Sequence, residues 1–170
     1  EIDFLGASIN FYASGASGNG LSRYSKRILE LMADGALNPL FDKAEFEKEK
    51  EKIIEGLKAD EKSVSAIARR VEDVLVFGKD NYRGEYTSEE TLKNVTFDDV
   101  ILNYNTYFVP ANAYLVIVGD VNFKEVKKEV ERLFGSWKKA TAPQLTYTAP
   151  KDVQYSQINF IDTPNAVQSE

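Results

Sequence analysis

The 170 residues carry 21 Lys and Arg against 27 Asp and Glu, a net charge of −6, with 43% apolar and 28% charged residues. That composition belongs to a folded chain and excludes a disordered one, and the length fits one domain, or one domain with a piece of a second. No apolar run approaches the roughly 20 residues of a bilayer span. An acidic balance without a basic stripe argues against nucleic acid or an anionic membrane surface as partner.

Cysteine and histidine are both absent. Disulfides, thiolate nucleophiles, Ser-His-Asp pairing and imidazole ligation are therefore excluded within the chain, and catalysis would have to run on carboxylates, Lys, Tyr or Ser. The chain opens at Glu1-Ile2-Asp3-Phe4-Leu5 without an initiator Met or signal peptide, and is expected to be an excised fragment.

In chain order, residues 1–5 suggest the end of a helix stopped at Gly6, followed by a β-type run from Ser8 to Ala13. Ser14 to Gly20 is small, Gly-rich and flexible, a hairpin region with weak flanking strands. A phosphate cradle is the functional alternative, but the Gly-Lys-Ser/Thr ending is missing. From Ser25 a helical stripe of Ile28, Leu31, Met32 and Gly35 runs to about Leu37, where Asn38-Pro39 breaks it. Phe46, Ile53, Ile54 and Leu57 mark the buried side of a second helix over 43–61, with Glu47/Lys50, Glu49/Lys52 and Glu55/Lys58 spaced to pair on its solvated faces. Val64, Ile67, Ala68, Val71, Val74 and Leu75 predict a third, closed by Gly78.

Three helix starts show capping grammar: Thr87 with Glu90, Thr96 with Asp99, and Asn122 with Glu125. Phe97, Val100, Ile101 and Tyr104 are expected inward on the second of these, and Phe123, Val126, Val130, Leu133 and Phe134 on the third. The run Asn112 to Asp120 is continuously apolar and predicts a strand buried on both faces. Residues 138–150 suggest a linker. Val153, Tyr155 and Ile158–Ile161 restart β patterning, Asp162–Asn165 turns it, and Ala166–Glu170 begins another strand. Helix-dominated order with a few non-adjacent strands gives an α+β class, helices packed on one face of a sheet.

No constellation of chemistry declares itself from spacing alone. Tyr82-Arg83-Gly84-Glu85-Tyr86 is a polar, aromatic loop that could bind a ligand; its plainer reading is an Arg stacked over a helix end.

The order of elements goes further. The acidic-basic helix Phe46–Leu57, the block Asn94–Phe108, the series from Tyr107 through Pro110 and the apolar strand to Gly119-Asp120, and Phe134-Gly135-Ser136-Trp137 together resemble the insulinase/pitrilysin/mitochondrial processing peptidase family of zinc peptidases. Leu5–Asn10 is similar to that family's edge strand beside the active site. Phe160–Pro164 and Ala166–Ser169 resemble the opening hairpin of a following unit. The resemblance implies the mitochondrial-processing-peptidase-like metallohydrolase fold, N-terminally truncated, with a peptidase-like domain over 1–140 and a linker and hairpin over 141–170.

Members of that family hold zinc through two His of a His-x-x-Glu-His motif, whose Glu is the general base, and a Glu on a later helix. The resemblance places the His motif upstream of Glu1 and the distal ligand at Gly56, which has no side chain to offer. Glu55 is the neighbouring substitute, about 100° round the helix, and more simply a surface carboxylate. The expectation is a non-catalytic, degenerate domain of a bacterial-type zinc protease, with no catalytic residue, metal ligand or cofactor of its own, although zinc serves the family. Its implied setting is the periplasm. Its implied partner is a peptide, added by β-augmentation at Ile9, Asn10, Phe11 and Tyr12, or a catalytic peptidase-like subunit. The alternatives are an active zinc endopeptidase whose His motif lies upstream, and a purely structural assembly domain. For the four strand residues a plain core strand competes with peptide binding.

Overall fold

A computed structural model describes residues 1–150 and 155–162. Its elements are β1 (Ser8–Tyr12), β2 (Gly15–Asn19), α1 (Ser25–Leu37), α2 (Lys43–Asp60), α3 (Val64–Phe77), α4 (Glu89–Asn94), α5 (Phe97–Tyr107) and α6 (Phe123–Phe134), with short 3-10 turns between some of them. They divide into two compact units, one of Glu1–Phe41 and Val100–Pro143, the other of Asp42–Asp99 and Gln144–Glu170. The architecture is mixed: helices with a small two-stranded sheet, compatible with α+β. The β patterning at Val153, the turn at 163–165 and the strand from Ala166 fall outside the described residues.

In the first unit the chain enters through a single 3-10 turn, Asp3–Leu5, rather than a longer helix end. Gly6 closes it at φ 58°, a left-handed conformation that favours glycine, and donates its N–H to the Asp3 carbonyl. β1 and β2 then form an antiparallel hairpin with Ser8 opposite Asn19 and Tyr12 opposite Gly15. The stretch expected to be flexible is thus itself the second strand, and the turn is only Ala13-Ser14. Its small residues have a packing reason: a Cβ on Gly18 would lie 3.2 Å from Ile28 Cγ2 of α1, so the bare backbone lets the strand sit close to the helix. α1 occupies the span its periodicity marks, burying Ile28, Leu29 and Ala33. α6 packs on α1 and is capped by Asn122, whose side chain accepts from the N–H groups of Lys124 and Glu125. Phe123, expected inward, is exposed.

The largest departure lies between α5 and α6. Of the apolar run Asn112–Asp120, Asn112 closes a 3-10 turn and residues 113–118 form no strand with any described residue: Tyr114, Val116 and Val118 are 97%, 79% and 91% exposed. No backbone–backbone hydrogen bond joins residues 114–118 to any other described residue. A strand exists only with a partner, and the described residues supply none; the hairpin uses its own two strands on each other.

In the second unit Asp42 caps α2 by accepting from Ala44 and Glu45 N–H groups, and Ser63 caps α3. α3 ends at Gly78, φ 80°. On α2, Phe46, Ile54 and Leu57 are half-buried, but Ile53 is exposed. Of the three expected ion pairs only Glu49–Lys52 forms, at 3.5 Å. Lys50 instead donates to the carbonyls of Lys93 and Val95, at 3.0 and 2.6 Å, satisfying the C-terminal end of α4. Lys58 lies 3.9 Å from Glu89. The capping box expected at Thr87 and Glu90 sits one residue later, between Ser88 and Thr91. The Thr96–Asp99 box forms as expected and opens α5, although Val100 is on its exposed side.

Candidate functional site

β1 is the sequence-predicted peptide strand. Alternation of its side chains sets Ile9 and Phe11 on one face and Asn10 and Tyr12 on the other. The Phe11 ring lies so close over Gly35 of α1 that a Cβ there would overlap it, and Ile9 is half-buried on the same face. Those two residues anchor the hairpin to the helix. Asn10 and Tyr12 are exposed, Tyr12 at 61%.

Among the described residues β1 pairs with β2 along one edge only. The two-residue turn makes Tyr12 and Gly15 the hydrogen-bonding pair nearest the turn, so alternation directs the backbone groups of Ile9 and Phe11 to the opposite, open edge.

Behind the hairpin, charged side chains link the entry turn, α1 and α6. Arg27 holds Glu1 with two parallel hydrogen bonds, Nε to Oε1 at 2.6 Å and Nη2 to Oε2 at 3.0 Å, and reaches Glu30 at 3.0 Å. Arg132 of α6 donates to Glu30 at 2.7 Å and to Glu129, which Lys26 approaches at 3.8 Å. The Arg27 guanidinium lowers the Glu1 and Glu30 carboxyls below the usual range, and Arg132 does the same for Glu129, which is only 8% exposed. Sequence reasoning placed none of these, because the partners lie on different elements and the ionic side chains themselves have no periodic signature. They stabilise; they are not arranged for acid–base work, since each carboxylate is satisfied by an arginine.

At the position that the resemblance assigns to a metal ligand the sequence has glycine. Gly56 lies inside α2 with nothing within 4 Å of where a Cβ would stand, and Glu55 beside it is exposed. No group of three or more Asp or Glu among the described residues is arranged to hold a metal ion. The residues present do not fit the zinc site of the resembled family.

The Tyr82–Tyr86 loop takes its plainer reading. The Arg83 guanidinium stacks 4.9 Å over Phe77, the last residue of α3, and Arg70 stands 4.9 Å over Tyr86. Asn81, nearly buried, donates to the Thr148 carbonyl at 2.9 Å and accepts from the Arg83 N–H, while Tyr82 meets the Tyr147 ring at 4.6 Å. The expected linker 138–150 has no regular structure but is pinned near its end.

Residues 94–167 match the family model of the peptidase M16 inactive domain. Over these residues the chain is similar to that inactive peptidase-like domain. No curated protein matches the chain. Among the described residues no helix is long and apolar enough to cross a membrane.

Proposed function

We propose that this chain serves proteolysis without performing it, holding peptide beside a catalytic peptidase-like subunit or domain that carries the zinc. The observation that carries the reading is Gly56: the helix position that the resemblance assigns to a metal-binding carboxylate has no side chain. The inactive-domain match over 94–167 supports it. A peptide would add to the open edge of β1 through the backbone groups of Ile9 and Phe11, with Asn10 and Tyr12 flanking it, a mode that needs no metal. Closing a chamber against the catalytic partner is the accompanying role.

The test is direct. The chain is mixed with its catalytic partner, and hydrolysis of a fluorescent decapeptide is followed with and without it. The expected result is partner activity that depends on the chain, no stoichiometric zinc in the chain, and loss of the effect when alternate peptide amides are N-methylated. Zinc bound in this unit, with activity abolished by Glu55→Gln, would overturn the proposal and make the chain an endopeptidase in its own right. Docking to the partner with no sensitivity to N-methylation would leave a purely structural assembly domain.

A further inference from the structure

Two dipeptides in the sequence set a side-chain carbonyl carbon beside a glycine N–H: Asn19-Gly20 and Asp34-Gly35. The fold treats them oppositely. Gly35 lies inside α1, where its N–H is bonded to the carbonyl four residues back, and Asp34 accepts a hydrogen bond from Asn38 Nδ2 at 2.9 Å. The Phe11 ring covers Gly35 as well. Asn19, by contrast, ends β2 with its side chain exposed and hydrogen-bonded to no other described residue. Gly20 lies beyond the last ladder pair, Ser8 with Asn19, and its N–H donates to no backbone carbonyl among the described residues. The end pair of a two-stranded ladder frays at little cost, so rotation at Asn19 is not held as it is inside a helix.

We propose that Asn19 is a site of spontaneous covalent modification, converting through a cyclic succinimide to aspartate and isoaspartate, while Asp34 is held inert by its helix. The Gly20 nitrogen gives its proton to solvent and attacks Asn19 Cγ. A C–N bond forms, the Cγ–Nδ2 bond breaks and ammonia leaves. Water then opens the ring: at Cγ it leaves aspartate, and at the main-chain carbonyl it leaves isoaspartate, whose backbone runs through Cβ and Cγ. Packing keeps the reactive pair in place. A Cβ on Gly20 would stand 3.0 Å from the Ala7 Cβ and 2.6 Å from Ile28 Cδ1. The bare backbone lets the chain pass close to both, and the same absence of a side chain leaves the amide nitrogen unshielded. The isoaspartyl product lengthens the main chain at Asn19, moves Gly20 out of that slot and unpairs Ser8, which the alternation of the hairpin makes a hydrogen-bonded partner of Asn19. Both products replace a neutral amide with a carboxylate, so an aged chain is more acidic and its hairpin is opened from the end away from the turn.

The experiment incubates the full chain at neutral pH in water enriched in heavy oxygen, once native and once in guanidinium chloride. Digestion in ordinary water and mass spectrometry follow, so that only carboxyls made during the incubation carry the label. Each site is compared with its own unfolded rate. The expected result is native labelling of Asn19 within about threefold of that rate, with Asp34 slowed about tenfold or more. Asn19→Gln, whose longer side chain closes a ring poorly, should stay unlabelled at that position while its hairpin amides exchange as in the parent. In the isoaspartyl fraction, separated by chromatography, the Ser8 amide should exchange about tenfold faster or more while amides of α1 stay protected. Native Asn19 slowed as strongly as Asp34, or an isoaspartyl fraction in which Ser8 keeps its protection, would overturn the proposal.

Discussion

Tyr104 of α5 donates its hydroxyl to the backbone carbonyl of Ala36 at 2.7 Å, in the last turn of α1. That carbonyl is among the four that a helix end leaves without an internal partner. The same ring stacks on Phe108 at a centroid distance of 5.0 Å and meets Phe41 edge-on at 5.3 Å. One side chain thus closes a helix end and anchors an aromatic cluster that continues to Trp137.

Tyr104→Phe keeps the ring contacts and removes only the cap. A loss of about 1 kcal/mol is expected, read as a lower urea midpoint with an unchanged slope. Burial raises the Tyr104 phenol above its usual value. Its contribution is therefore complete below the unfolded value near pH 10 and is lost as pH rises through the higher folded value. The alkaline fall in stability should be shallower in Tyr104→Phe than in the parent.

The acid limb rests on Glu1, Glu30 and Glu129, whose folded values lie below their unfolded ones. Their contribution is full above about pH 4.3 and drains as pH falls through the lowered folded values. Arg132→Ala leaves Glu129 nearly buried without its main partner, so its carboxyl should titrate at higher pH. The expected outcome is lower stability at pH 7 and a smaller difference between pH 7 and pH 3, measured by denaturant unfolding at both.

Two glycines should respond in opposite directions. Gly56 sits inside α2 with open space around it, so Gly56→Ala should stabilise by about 0.5–1 kcal/mol through helix propensity alone. A Cβ on Gly84 would overlap the Gly78 carbonyl, which is backbone and cannot swing aside. Gly84→Ala should cost about 1–3 kcal/mol. Thermal melts of both variants check the pair.

Removing the pin at the end of the irregular stretch tests whether it is held. Asn81→Ala deletes the donor to Thr148 and the acceptor for the Arg83 N–H. A loss of about 1–2 kcal/mol is expected, read as a lower urea midpoint than in the parent.

Local signals were legible and partnerships were not. α1 and α3 lie where their apolar stripes and terminal breakers put them, because periodicity and caps are properties of a few neighbouring residues. The Arg83 stack was readable for the same reason, lying within a short span of Phe77. Lys50 shows the limit: its i−3 neighbour Glu47 looked like its partner, yet helix-end carbonyls 43 and 45 residues onward took it. The run 113–118 announced a strand through its apolar residues, but nothing in those residues encodes which strand lies beside it. Gly15–Asn19 failed for the converse reason. Its side chains carry no β signal, and the two-residue turn and the closeness of Ile28 made it a strand. At the site, the arginine–glutamate chain was not readable, because Arg27, Glu30, Glu129 and Arg132 lie on two different helices.

The Asn81–Thr148 bond also turns the chain between those two residues into a closed loop. Residues inserted between Pro143 and Thr148 would only enlarge that loop, and because closure entropy grows slowly with length, the cost should be small.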